Sequence, residues 1–484
     1  MPLILPANTL DSSFDIDNSL RFNDGDNGYL ERTFDSGGSR RKFTVSLWVK
    51  RSELSTGNNP LWAAAGSSGG QISLVYDSND KLILREYNTT DEEVLNLVTS
   101  AVFRDPAAWY HIVAAVDTTQ STNTNRAKLY VNGVLQTLGT ATYPSEDYDL
   151  LMNSTTNTGK FFVGNETYAS TSTVFDGYIA EFFFINDSQL AASSFAETDD
   201  NGVWIPKDVK DDLTFGTNGL YMEFKQSGTS QNSSGIGADT SGEDHHFAVN
   251  NLTAQDQTTD TPTNNFMTFN PLHTNSRGSF SEGNVKVTTN VQGSTPYGQV
   301  EFGNFYVNKG KWYYEVFVAD HGGGGNLAFG WSERAEVGNY VNGHNNQGSA
   351  GNVLYQKGGN ILIGSSHNQA TGVDSFTDSD IVGVALDLDN NKIYFHKNGN
   401  YQDDPTPAPA SNNGRAIVSS YNNYWTPFIS KDDTSNNATA NFNFGNPINT
   451  PSSGNADDNG YGNFEYDVPT GFYSLCTKNL AEYG

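Results

Sequence analysis

The sequence predicts an all-β chain of two antiparallel β-sandwich (jelly-roll) domains in tandem, joined by a polar segment. Short stretches of alternating apolar and polar residues recur along it, while a 3.6-residue helical period is nowhere sustained. Its 484 residues include 48 Gly, 24 Tyr and 29 Phe beside abundant Asn, Ser and Thr, a composition of short strands and tight turns. The length exceeds what one core fills, since single cores stop growing at roughly 250–300 residues.

In residues 43–49 (FTVSLWV), Phe43, Val45, Leu47 and Val49 point one way and Thr44, Ser46 and Trp48 the other, so one face lines a core. Further strands are expected at 72–77, 81–87, 109–117, 127–133, 160–164 and 178–185. From about residue 198 to 272 the pattern weakens to one candidate, 219–225, followed by the run SGTSQNSSGIGADTSGEDHH, which composition alone reads as a linker. Strands resume at 299–307, 311–319, 327–332, 381–389, 392–399 and 441–445. The two halves echo each other: an apolar strand ends in Asp, a polar turn follows, and a second strand runs into Asn-Gly. Asn132-Gly133 and Asn398-Gly399 are expected to form type I′ turns, and reuse of a common hairpin accounts for the echo without duplication.

A formal net charge of −28 argues against nucleic acid, whose phosphates are met by Lys and Arg, and against an anionic bilayer. No 18-residue apolar run suggests membrane insertion, and MPLILPANTL lacks the basic region and long apolar core of a signal peptide, so synthesis in a cytoplasm is expected. The single cysteine, Cys476, excludes a disulfide within the chain and reads as a small buried hydrophobe.

Several segments then resemble known families. LRFNDGDNGYLERTF, FTVSLWVKR, FRDPAAWYHIVAAVDTTQ, RAKLYVNGV and FDGYIAEFFFIND, spanning roughly residues 20–187, resemble a laminin-G or concanavalin-like jelly roll of the kind found in viral tail proteins. GVWIPK, GTNGLYMEFK, GADTSGEDHHFAVNNL and TDTPTNNF resemble the continuation seen in phage and prophage tail proteins, which implies that the apparent linker is ordered. GKWYYEVFV, LAFGWS, DIVGVALDLDNNKIYFHKNG, YWTPFIS and NFNFGN resemble an SPRY domain, and YDVPTGFYSLCTKNL resembles a peptide that closes such viral chains. The implied organisation is an arm at 1–19 that could anchor to a virion, a sandwich at 20–226, a polar connecting segment at 227–275, an SPRY-like sandwich at 276–446 and a tail at 447–484 packing on it. The resemblance implies a non-enzymatic structural protein of a bacteriophage particle, tail-associated or fibre-like, made in the bacterial host cytoplasm. Its implied partners are other virion proteins, further copies of itself and a host-surface glycan or protein. A purely architectural capsid-decoration or tail-linking role and a polysaccharide depolymerase are the alternatives.

No ExDxxE signature of laminarinase-type hydrolases occurs, and the carboxylate runs at 91–93 and at Glu146, Asp147 and Asp149 read as solvated loops, so no catalytic residues are expected. His245-His246 lacks the ligand spacing of a zinc site. Gly322–Gly325 precedes no GK[ST] and reads as a hairpin loop rather than a phosphate cradle. Calcium is the candidate cofactor, because DGDNG (Asp24, Asp26) and Asp387, Asp389 and Asn391 place oxygens at alternate positions. For sugar recognition the candidate stacking platforms are Trp62, Tyr340, Tyr421, Tyr424 and Trp425, all in or beside polar loops. Trp48, Trp109, Trp312 and Trp331 lie in strand motifs and read as structural.

Overall fold

The computed structural model describes residues 14–34, 37–65, 69–155, 159–168, 171–273, 278–290, 299–324, 326–333, 351–364, 373–403, 407–421, 423–432 and 436–484. These fall into two compact units, 14–264 and 265–484. Both are built from antiparallel sheets, save that Tyr473–Ser474 lies parallel to Lys311–Asp320, and the one α-helix among the described residues is Thr477–Tyr483. No helix among them is long and apolar enough to cross a membrane.

In the N-terminal unit the first sheet is centred on Lys42–Arg51, paired with Trp109–Asp117 on one side and Gly177–Asn186 on the other. The second sheet runs in the order Leu138–Thr142, Glu93–Thr99, Leu82–Tyr87, Gln71–Tyr76, Asn59–Ala65, Lys160–Val163, Tyr29–Thr33, Ala248–Asn250. As the alternation predicts, Phe43, Val45, Leu47 and Val49 share a core with Ile72, Leu74, Leu84 and Phe161. The opposite face is buried as well: Trp48 packs with Ile16, Trp109 and Tyr178, and Val113 and Phe183 pack with Phe195, Val209 and Phe215.

The boundary expected at 226/227 is corrected by the strand pairing. Ala248–Asn250 joins the second sheet beside Tyr29–Thr33, and Gln257–Thr258 joins the first beside Ser19–Phe22, so the polar segment belongs to the N-terminal unit through Asn264. Electrostatics explains its order. Lys50 Nζ lies 2.8 Å from Asp260 Oδ2 with both side chains at most 1% exposed, and Arg21 donates to the Gln255 carbonyl at 2.8 Å. A charge buried in that way is tolerated only with a partner, and the segment supplies it.

The C-terminal unit pairs a nine-stranded sheet, with Lys311–Asp320 between Thr439–Asn443 and Ile381–Asp387, against a five-stranded sheet ordered Gln299–Phe302, Thr426–Asp432, Asn326–Ser332, Asn352–Gln356, Asn360–Ile363. Trp312, Tyr314, Trp331, Phe329 and Phe442 fill the space between them. Phe464 and Phe472 of the tail cover Tyr313, Ala385 and Tyr394 on the outer face. The two Asn-Gly turns carry the expected positive φ values, 46° and 78° at Asn132-Gly133 and 49° and 79° at Asn398-Gly399. In each the Asn Oδ1 accepts a 2.8 Å hydrogen bond from the backbone N–H opposite, at His111 and at Ile381.

Two outcomes test these packing arguments. Asp260→Ala strands the Lys50 ammonium in the interior and should cost about 3–5 kcal/mol of unfolding free energy in a denaturant titration, a loss no true linker residue would cause. Glu181 sits on the bulge of Gly177–Asn186, hydrogen-bonded by Tyr221 at 2.5 Å, and burial pushes its carboxyl up from 4.5 to about 8. The folded state therefore holds a proton there that the unfolded chain releases above pH 4.5, so this contribution to stability is full below 4.5 and lost as pH rises through about 8. Thermal melts of Glu181→Gln should show a gain over the parent that is largest near pH 8 and fades toward pH 5.

Candidate functional site

Exposed aromatic rings in the C-terminal unit concentrate on the loop that enters the strand Thr426–Asp432. Ile417 is buried, Val418 is 72% exposed, Tyr421 and Tyr424 are half-exposed, and Trp425 is wholly buried. The loop's shape is set from below by Glu333, a residue only 4% exposed that directly follows Asn326–Ser332. Glu333 Oε2 accepts from the backbone N–H of Ser420 at 2.6 Å and of Tyr421 at 3.2 Å. Its Oε1 accepts from the Asn423 N–H at 2.9 Å and from the Ser419 hydroxyl. Three backbone donors and a hydroxyl thus converge on one carboxylate, a concave arrangement of N–H groups that holds an anion.

Asn423 completes the loop in the left-handed region at φ 59°, accepting from Trp425 Nε1 at 3.1 Å and donating to the Asn308 carbonyl at 3.2 Å. Gly351 leaves room for the Tyr421 ring, which a Cβ there would meet at 2.8 Å. The result is two tyrosine rings, each with an apolar face and a hydroxyl, displayed on a fixed backbone. Such rings stack on apolar sugar faces or pack into a protein partner with little ordering entropy left to lose.

Of the five aromatic platforms the sequence suggests, the structure thus brings Tyr421 and Tyr424 together on one loop. Trp425 and Trp62 are corrected to core residues: both are 0% exposed, Trp425 among the interior rings of its sandwich and Trp62 edge-on to Phe161 at 6.2 Å. Tyr340 lies outside the described residues. Glu333 escaped sequence reasoning because its partners lie some 90 positions away, as the separations of 86 to 90 residues in its hydrogen bonds show.

Asp26, Asp387 and Asp389, among the carboxylates considered for calcium, accept hydrogen bonds from within the chain. Asp24 and Asp26 form an exposed single turn in which Asn23 Nδ2 donates to Asp26 at 2.8 Å. Asp387 accepts from the Asn390 N–H and side chain and pairs with Lys311 at 3.1 Å, while Asp389 accepts from the Gly310 N–H at 2.9 Å. Among the described residues the one convergence of metal-binding side chains is Asp320, His321 and Asp378, where the imidazole already bonds to Asp378.

A groove of about 260 Å³ in the same unit brings Glu315 and Glu465 to one place. Both carboxylates hold the segment that walls it: Glu315 accepts from the Glu465 and Tyr466 N–H groups at 2.9 Å and from the Tyr313 hydroxyl at 2.8 Å, and Glu465 accepts from the Ser452 N–H at 2.6 Å. His396 stands behind Tyr313 at 2.7 Å, and burial depresses its pKa to about 3, so it is neutral.

Residues 23–193 match the family model of the concanavalin A-like lectin/glucanases superfamily, and residues 311–421 match that of the SPRY domain. A search of curated proteins finds no match. Among solved structures, the SPRY domain of human HERC1 is 17% identical, covering 36% of this chain and 96% of its own with a TM-score of 0.28. A putative carbohydrate binding protein from Bacteroides ovatus is 15% identical over 50% of this chain and 60% of its own, with a TM-score of 0.34. A SAP-like pentraxin from Limulus polyphemus is 16% identical over 37% of this chain and 80% of its own, with a TM-score of 0.28. The N-terminal unit therefore carries a concanavalin-like domain and the C-terminal unit an SPRY domain.

Replacing Glu333 with Ala should leave the loop's N–H groups without their acceptor. Hydrogen exchange at Ser420, Tyr421 and Asn423 should accelerate by an order of magnitude or more, for a loss of about 1–3 kcal/mol of local stability, while the amides of Lys311–Asp320 stay protected.

Proposed function

We propose that this chain is a non-enzymatic structural protein of a bacteriophage particle, tail-associated or fibre-like, that attaches to a host-surface glycan or protein through sandwich loops. The observation that carries the binding half of this reading is the pair of half-exposed tyrosines held on a backbone cradled by Glu333. A display surface prepared before contact binds with less ordering cost than a loose one, which suits repeated weak contacts on a multi-copy particle. The virion half is supported by the resemblance of the segments joining the two sandwiches, and of the closing peptide, to phage tail proteins. An excess of acidic residues keeps such a crowded protein soluble and suits neither DNA nor an anionic membrane.

Adsorption to host cells tests this directly. Purified chain should bind cells or extracted envelope glycans, and Tyr421→Ser with Tyr424→Ser should reduce that binding about tenfold or more with an unchanged melting temperature, because exposed rings add little to stability. Release of new reducing ends from surface polysaccharide would overturn the non-enzymatic reading in favour of a depolymerase. Normal adsorption by the double variant would move the contact elsewhere on the chain.

A further inference from the structure

The N-terminal unit carries a polar cleft of about 360 Å³ that the aromatic loop does not involve. One wall is the strand Tyr29–Thr33, contributing Glu31, Arg32 and Thr33, and the other is the segment that composition reads as a linker, contributing Gln231, His245 and His246. Strand pairing fixes the first wall, with Glu31 opposite Ala248. The second is fixed by Asp239, 5% exposed, whose carboxylate accepts from the N–H groups of Tyr221, Ser241 and His245 and from the Ser241 hydroxyl, each at 2.9 Å. Gln231 Nε2 donates to the His246 carbonyl at 2.9 Å and ties the wall together.

The hydrogen bonds settle which imidazole nitrogens carry protons. His246 Nδ1 accepts from the Asp239 N–H at 2.9 Å, so the neutral ring is protonated at Nε2. His245 Nδ1 lies 2.8 Å from the Gly219 carbonyl, which can only accept, so that ring is protonated at Nδ1 and keeps Nε2 as an acceptor. Two adjacent histidines thus hold opposite tautomers: His245 keeps an acceptor nitrogen, and His246 a donor nitrogen that lies 3.7 Å from Asp244 Oδ1 at the rim. Thr33 adds a hydroxyl able to do either, and Gln231 keeps its amide oxygen.

Charge narrows the ligand. Asp244 at the rim, its side chain 90% exposed, and Glu31 oppose an anion, whereas Arg32 in the wall and Lys160, 2.8 Å from Glu31, oppose a cation. No Phe, Tyr or Trp is among the lining residues, so the two imidazoles are the only rings and the wall recognises chiefly by hydrogen bonds. What fits closely spaced donors and acceptors at near-zero local charge is an uncharged molecule dense in hydroxyls, and the volume lies at the small end of ligand pockets. We propose that this cleft binds one or two units of a neutral saccharide through hydrogen bonds, as a second site separate from Tyr421 and Tyr424.

The test uses the full chain, with saturation-transfer NMR and calorimetric titration against lactose, maltose, mannobiose and diacetylchitobiose, and against sialyllactose and a glucuronate disaccharide as charged counterparts. At least one neutral disaccharide should bind. Gln231→Ala with Thr33→Ala, both exposed positions, should weaken it at least about tenfold, ~1.4 kcal/mol, with at most a small fall in melting temperature, since the Gln231 bond to the His246 carbonyl is exposed. Asp244→Asn reports on the same rim with its charge removed and should shift the balance toward sialyllactose. Tyr421→Ser with Tyr424→Ser should leave this affinity intact, which keeps it distinct from host-cell attachment. Binding of none of the neutral sugars, preference of the parent chain for the charged ones, or full affinity in the Gln231/Thr33 variant would each overturn the proposal.

Discussion

The central strands of the N-terminal unit are buried along both faces, and much else in that unit follows from covering the second one. Gly177–Asn186 is buried at every position, and Lys42–Arg51 at every position but the first. A two-layer sandwich covers one face of each sheet. The other face of these strands carries Trp48, Tyr178, Phe183 and Ile185, more apolar surface than water tolerates on a central strand, so residues beyond the sandwich must fold back over it. Phe195, Val209 and Phe215 do this with hardly any regular structure. In the C-terminal unit Phe464 and Phe472 do the same over Tyr313 and Tyr394.

This explains what could be read from the sequence and what could not. Strands with strong patterns lie where expected, Trp109–Asp117 to the residue, because alternation is a local property and survives folding. Asn59–Ala65 had no such signal: it opens on Asn-Pro and contains three alanines, and it is a strand because its neighbours on both sides pair with it. Trp62 was misjudged for that reason, since a ring beside polar residues looks like a rim residue until the strand through it is known. Trp425 failed differently, as the residue at which an exposed loop dives into the core. The polar segment after residue 226 defeats composition because its order comes from single buried groups: Asp239 gathers donors within the run itself, and Lys50 and Arg21, more than 200 residues away in sequence, hold Asp260 and Gln255 at its end.

Buried ionisable groups bound the pH range from both sides. Glu86 and Glu181, each raised to about 8 by burial, favour the fold as pH falls toward 4.5, whereas His111 and His396, each depressed to about 3 by burial, favour it above 6.5 and lose that contribution as pH falls through 3. His111 shows how a neutral ring is held: Trp204 donates to its Nδ1 at 3.0 Å, so Nε2 carries the proton and donates to Ser46 at 2.8 Å. The four groups oppose one another across the interval between 4.5 and 6.5, where neither pair has exhausted its contribution.

The two candidate binding surfaces, on different folds, are organised by one device. Glu333 gathers four donors beneath the tyrosine loop, and Asp239 gathers four, three at Ser241 and His245 beside the histidine pair and one at Tyr221 on a paired strand, each carboxylate nearly buried. A loop built on backbone N–H groups can be fixed by an anion, just as one built on carbonyl and carboxylate oxygens is fixed by a calcium ion, and the anion is already part of the chain. Acidic residues beyond what solubility needs then acquire a structural use, and a carboxylate engaged in this way has few lone pairs left for a metal. Asp387, whose spacing with Asp389 suggests calcium, likewise accepts from the Asn390 N–H and side chain, and Asp389 accepts from the Gly310 N–H across 79 positions of sequence.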